Sequence, residues 1–223
     1  MQTVKYSIYN NQTMSKTHVR LLYPSSVRPE EVRAAMAGIR RFESFGVEHD
    51  SIEIYRPNFT PVRHVKRGER IHEIITATET QFVAPSLLRT ESPWALVYDK
   101  HMIGLGLTDS SLYVDREIHS RPIYMPLMGM AMEGAAAIVS ISKIRREHPE
   151  LSDMAIETAV VHELGHVFIE SKAHCTTPSC IMQANENYLD FIERFVKARL
   201  DFCRLCREEV QLNVNSIQMR DFA

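Results

Sequence analysis

Apolar and polar residues alternate in several short stretches of the chain, a pattern typical of half-buried β-strands. The first such stretch runs from His18 to Tyr23 and stops at Pro24, which suits a strand end. The same pattern predicts further strands over residues 51–55, 94–98, 102–107, 122–131 and 135–141.

Other stretches repeat apolar residues every three or four positions, as amphipathic helices do. Pro29, followed by two glutamates, predicts a helix that lasts to about Phe45 and stops at Gly46. Further helical stretches are predicted over residues 69–89, 152–168 and 188–200, with a short charged helix after Cys206. Strands followed by helices predict a sheet-plus-helix domain with a smaller helical C-terminal lobe.

Composition and charge narrow the class of protein. The 223 residues are 44% hydrophobic and 24% charged with a net charge of −2, values that fit a globular domain. Because Lys and Arg do not outnumber Asp and Glu, the composition argues against a nucleic-acid-binding protein or a polybasic membrane-surface protein. The first ten residues do not form a signal peptide, and no apolar run is long enough to cross a membrane. We therefore expect one cytoplasmic domain over residues 1–223, with its cysteines reduced.

The helix over residues 152–168 contains the motif His162-Glu163-Leu164-Gly165-His166. Residues four apart lie on one face of a helix one turn along, so the two imidazoles can share a zinc ion. Glu163 lies on the neighbouring edge, where it can act as a general base. The alternative to a zinc site is a solvated helix face that carries two histidines and a glutamate without binding a metal.

A catalytic zinc needs a third protein ligand as well as an open position for water. A straight helix cannot supply it, since ligands at i, i+4 and i+8 spread over ~12 Å. The chain must turn back after the helix, and His174 is the first suitable residue. Its alternative interpretation is an exposed loop histidine.

All four cysteines fall in the last quarter of the chain as two short-spaced pairs, Cys175-x4-Cys180 and Cys203-x2-Cys206. This layout predicts a structural zinc site with four cysteine ligands. Two disulfides or inert buried thiols are the alternatives, and a reducing compartment disfavours the disulfides.

The zinc helix, His174-Cys175, Cys180-Ile181-Met182 and the Cys203-Cys206 pair together resemble the signature of the archaemetzincins. The resemblance covers residues 94–206 well and the N-terminal third in outline. Three features differ: Ile169 occupies the position of a family glycine, two additional residues precede His174, and Ser111 replaces the second Asp of the family's Thr-Asp-x-Asp. The interval of eight residues from His174 to Met182 equals that of the family.

The resemblance implies an α+β, zincin-like metallopeptidase fold with a mixed twisted sheet over an active-site helix. An upper part of about residues 17–172 would hold the helix, and a lower zinc-knuckle lobe would span about 173–215. His162, His166 and His174 would ligate a catalytic zinc, with Met182 in the Met-turn beneath it. The four cysteines would ligate a second, structural zinc, and the strand over 122–131 is placed to pair with an extended peptide.

The expected function is therefore hydrolysis of peptide bonds in peptides or proteins by zinc-activated water, with Glu163 as general base. The alternative is a catalytically impaired zinc protein that uses the same fold for binding, because the segment 169–173 departs from the family. A metal-dependent ribonuclease is disfavoured by Glu163 and by the net charge. Tyr188 is a conceivable oxyanion stabiliser.

Overall fold

The computed structural model describes residues 16–54, 65–67, 70–72, 81–83, 102–118, 121–132, 134–169, 174–185 and 187–219. The strands are β1 (His18–Pro24), β2 (Glu48–Ile54), β3 (Val65–Arg67), β4 (Arg70–His72), β5 (Gln81–Val83), β6 (Met102–Thr108), β7 (Ser111–Ile118), β8 (Arg121–Leu127), β9 (Gly129–Met132) and β10 (Ala136–Ser140). The helices are α1 (Pro29–Arg40), α2 (Ser142–Glu147), α3 (Ser152–Phe168), α4 (Tyr188–Asp190), continued by a π-helical turn (Phe191–Val196), and α5 (Arg204–Gln218).

A five-stranded sheet of order β2-β1-β6-β10-β9 forms the upper part of the molecule. Neighbouring strands are parallel except β9, which runs antiparallel to β10. The central strand β6 is buried from Ile103 to Thr108. A continuously buried strand is typical of a parallel sheet that is covered on both faces.

The strand predicted over residues 122–131 is in fact two strands in two sheets. β8 pairs with β7 in a three-stranded sheet of order β5-β7-β8, whereas β9 pairs with β10 at the edge of the main sheet. The chain changes sheets at Met128, which lies between the two strands. Alternation along a sequence indicates a strand but does not name its partner, so the pattern could not locate this break.

The prediction of mostly helical structure over residues 69–89 was wrong where the structure describes that range. Residues 70–72 pair with 65–67, and residues 81–83 pair with β7. Their strand state depends on partners elsewhere in the chain, and tertiary pairing overrides local propensity. The rest of the range, and the strand predicted over 94–98, lie outside the described residues.

Helix α1 begins at Pro29 as predicted, and the Glu31 carboxylate accepts the backbone N–H of Arg28 at 2.8 Å. The helix ends at Arg40, earlier than expected, and a short 3-10 turn leads to Gly46 with φ +85°. α1 crosses α3 closely at Gly38, where a Cβ atom would lie 2.8 Å from the Glu157 carbonyl oxygen. This contact holds α3 firmly against the upper part.

Helix α3 is buried almost all the way round, between the sheet, α1 and the C-terminal elements. Below it, four phenylalanine rings from α3 and from the segments after α1 and before α5 pack together: Phe42, Phe45, Phe168 and Phe202. One buried cluster thus runs continuously from β1 to α5. Among the described residues, none of the helices has the length and apolar character needed to cross a membrane.

Candidate metal centre

Helix α3 presents two imidazoles side by side. The Nε2 atoms of His162 and His166 lie 3.2 Å apart, and their ring centroids are separated by 4.8 Å. Ligands of a tetrahedral zinc with Zn–N bonds of about 2.0–2.1 Å lie roughly 3.3 Å apart. The pair is therefore spaced as two ligands of one ion.

The loop after α3 brings a third imidazole to this pair. The ring of His174 stacks on that of His162, with centroids 5.6 Å apart, and lies edge-on to that of His166 at 4.9 Å. One nitrogen from each ring lies within 4.8 Å of the others. The chain thus returns to the helix although Ile169 replaces the family glycine; residues 170–173 lie outside the described residues.

A backbone carbonyl fixes the orientation of His162. Its Nδ1–H donates to the carbonyl oxygen of Ile181 at 2.7 Å, which leaves Nε2 unprotonated and facing His166. Metal-binding histidines characteristically have such a second hydrogen bond. The motif did not reveal Ile181, because this contact is made across 19 positions of the chain.

Desolvation favours the neutral form of the imidazoles, most strongly for His162 and His166, whereas the His174 side chain is exposed. Burial lowers the pKa of His162 to about 4, against the opposing effect of the hydrogen bond to Ile181, and lowers that of His166 to about 3. The pKa of His174 is lowered by the same cause. Neutral imidazole is the form that binds a metal ion.

Glu163 follows His162 on α3, and its side chain lies between α3 and the edge strand β9. Its side chain touches the backbone of Gly129, where a Cβ atom would lie 2.5 Å from Cγ of Glu163. Burial raises the pKa of Glu163 to about 8. The half-buried carboxyl group is therefore held against β9, and it does not belong to the set of three histidines.

Met182 packs against α3 at Gly165, a residue that no sequence pattern marks as functional. A Cβ atom on Gly165 would lie 2.3 Å from Sδ of Met182 and 3.1 Å from the ring of Phe202. Gly165 occupies a variable position of the His-Glu-x-x-His motif, so only its small size could have suggested this role. The thioether thus lies directly against the helix that bears both histidines.

The four cysteine sulfurs form a second cluster, all within 4.8 Å of one another. Cys175 Sγ lies 3.7 Å from Cys203 Sγ, and Cys180 Sγ lies 3.7 Å from Cys206 Sγ. These separations exclude disulfides, whose S–S bond is about 2.05 Å. They match the roughly 3.8 Å between ligands of a tetrahedral zinc with Zn–S bonds of about 2.3 Å.

Backbone N–H groups surround these sulfurs. Met182 and Cys203 donate to Cys180 Sγ at 3.5 and 3.4 Å. Burial raises the pKa of Cys203, but hydrogen bonds from the Cys206 backbone and from neighbouring groups outweigh it and lower the value to about 6. Burial raises the pKa of Cys206. A bound cation would remove the proton from such a buried thiol, because a thiol that coordinates a metal is deprotonated.

Tyr188, the conceivable oxyanion stabiliser, lies near α2. Its ring contacts Lys143 at 4.5 Å and His148 at 5.6 Å, beside α2 and the start of α3. Its ring also stacks on Phe191, which stacks on Phe195, and Phe195 contacts the ring of His162. The structure gives it no contact with the three histidines.

Together the sheet-over-helix fold and the two ligand sets define a zinc metallopeptidase. The sequence model of peptidase family M54 matches residues 47–212, and the chain belongs to this family. That range includes all three histidines, Glu163 and the four cysteines. The resemblance to archaemetzincins and the metallopeptidase class are thereby confirmed.

Similar sequences and similar solved structures support the same family assignment. An archaemetzincin of Methanopyrus kandleri is 29% identical over 150 residues, which cover 67% of this chain and 77% of the relative. A crystal structure of archaemetzincin from that organism aligns with a TM-score of 0.63 at 22% identity, covering 90% of this chain and 96% of that chain. A zinc-dependent peptidase from Methanocorpusculum labreanum aligns with a TM-score of 0.56 at 18% identity, covering 86% and 99%. These matches confirm the predicted α+β zincin-like fold.

Proposed function

We propose that the chain hydrolyses peptide bonds at a zinc ion held by His162, His166 and His174. The observation that carries this proposal is the convergence of one ring nitrogen from each of three histidines within 4.8 Å, two of them on the helix that also carries Glu163. When bound, zinc supplies Lewis acidity, which makes water a nucleophile near neutral pH. The packing of Met182 beneath α3 supports a site of the metzincin type.

In this proposal Glu163 moves the protons. Its carboxylate takes a proton from the attacking water and returns it to the leaving amine, so it begins and ends the cycle ionised. The raised pKa of this buried carboxyl belongs to the metal-free site, because a neighbouring cation favours the charged form. The Ile181 carbonyl keeps His162 in the tautomer that this site requires.

The substrate is a peptide or protein strand that we place along the open edge of β9. Ser140 N–H donates to the Met128 carbonyl at 2.6 Å, so the next pair, Gly129 and Val139, is a pair without mutual hydrogen bonds. The N–H and C=O of Gly129 therefore point away from β10. They offer an extended peptide a hydrogen-bonding edge next to Glu163.

We further propose a second, structural zinc at Cys175, Cys180, Cys203 and Cys206. We also propose that the upper part and the cysteine lobe form a single domain. The continuous buried cluster supports this arrangement. Four unbridged cysteines favour a reducing, cytoplasmic location. The net charge of −2 supports a function without a nucleic-acid partner.

The test combines metal content with turnover of a mixed peptide library. We expect two zinc ions per chain and hydrolysis by the unaltered protein. Glu163→Ala should keep both ions while kcat falls about 10²- to 10⁴-fold, since only the proton transfer is lost. Full activity in that variant, or one zinc or fewer in freshly purified reduced protein, would contradict the proposal.

A further inference from the structure

The backbone of the edge strand β9 contacts the side chain of Glu163 at Gly129, which has no side chain of its own. A Cβ atom on Gly129 would lie 2.5 Å from Cγ, 2.6 Å from Cδ and 2.6 Å from Oε1 of Glu163. All three separations are far shorter than the 3.5–4.0 Å of ordinary carbon contacts. Any side chain at position 129 would therefore claim space that the carboxyl group occupies.

The neighbouring position on the same face of β9 carries a small residue as well. Side chains alternate between the faces of a strand, so Ala131 shares the face of Gly129 and packs against the core. The backbone of β9 can therefore approach α3, and at Gly129 it contacts Glu163. Among the described residues β9 pairs with β10 alone, so the same glycine borders the open edge.

We propose that Gly129 is a positioning residue for the reaction: its missing side chain lets the edge strand hold the Glu163 carboxylate between the open edge and the three histidines. The inference rests on the proposed function, in which Glu163 is the general base. A peptide that pairs with Gly129 then lies next to the carboxylate that serves it. A displacement of about 1 Å at a reacting group can cost 10²-fold in rate.

The kinetic test is Gly129→Ala, which adds one carbon atom at the contact. The carboxyl group is the free end of a flexible side chain, so it should move aside while the protein stays folded and keeps its zinc. We expect kcat to fall about 100-fold with KM within about threefold, because proton transfer is misaligned and peptide pairing through the backbone remains. An unchanged kcat would overturn the inference.

The matched control is Ala136→Ser, which adds one heavy atom to a half-buried alanine of the neighbouring strand β10. We expect its kcat to stay close to that of the unaltered protein. If it loses as much activity as Gly129→Ala, the effect belongs to added bulk anywhere at this edge of the sheet, and the assignment to Gly129 is wrong.

A second readout does not depend on activity. On the zinc-loaded protein, Gly129→Ala should lower Tm by about 2–4 °C, since the new methyl group crowds Glu163. In the Glu163→Ala background the three crowded atoms are gone, so the same change should leave Tm unaltered. Equal shifts in both backgrounds would show that the two residues do not contact each other as described.

The two proposals fail separately. Full activity in Glu163→Ala would remove the general base, and with it the proposed function. An inactive Glu163→Ala beside a fully active Gly129→Ala would leave the function in place and overturn only the role of Gly129.

Discussion

The two ligand sets of this protein are built in opposite ways. Two of the three histidines stand on one buried helix, which the sheet and α1 support without any metal. The cysteines instead join segments of chain that are distant in sequence, with pairs 28 and 26 positions apart. On the proposed function, packing would therefore hold most of the histidine site, whereas the cysteine site would depend more on a bound ion.

The two sets nevertheless meet in one tripeptide. Cys180 belongs to the cysteine cluster, the Ile181 carbonyl orients His162, and Met182 packs on Gly165. The Cys175 N–H also donates to the Met182 carbonyl at 2.8 Å, which ties the residue after His174 to the same segment. Loss of the cysteine zinc should therefore disturb the histidine site more than the reverse.

The largest expected effect follows from removing a cysteine. Cys206→Ser should release one zinc per chain and unfold the lower lobe, because structural zinc contributes on the order of 10 kcal/mol to the folding of small metal domains. Elemental analysis together with near-UV circular dichroism measures both effects. The control is Arg204→Ala, whose side chain on the same helix is 83% exposed. A stable Cys206→Ser protein with two zinc ions would refute the contrast between the sites.

A smaller and more local effect is expected from His174→Ala. This variant should stay folded, keep the cysteine zinc and bind the other ion at least about 100-fold more weakly, since loss of a mere supporting contact already costs 10- to 100-fold. Chelator titration that follows zinc release from each site measures the difference. His49→Ala, which changes a histidine outside both ligand sets, is the control. Identical release profiles for His174→Ala and the unaltered protein would show that His174 is not a ligand.

The smallest effect should come from the boundary between the sites. Gly165→Ala places a methyl group against the Met182 sulfur, and such overpacking typically costs about 1–3 kcal/mol. Met182→Ala removes the clashing atoms, so the double variant should lose less stability than the sum of the two single variants. Urea denaturation of the three proteins measures this coupling. Additive losses would mean that Met182 does not rest on Gly165.

Local sequence patterns account for much of this site. The spacing of His162 and His166 is set by the helical period, and each cysteine pair is short enough to be recognised as one half of a zinc site. His174 could be predicted from the sequence because the third ligand had to come from the chain after α3. Gly129, Ile181 and the division of residues 122–131 depend on which distant segments meet, and no local pattern encodes that information.

The tripeptide from Cys180 to Met182 also bears on how this chain can change in length. Three adjacent residues serve three different neighbours, so an insertion there would shift at least two of them out of place. The interval from His174 to Met182 is fixed at both ends in the same way. Between Ile169 and His174, where residues 170–173 lie outside the described residues, the chain has two residues more than the family pattern. We therefore expect an insertion between Cys180 and Met182 to disturb both ligand sets at once.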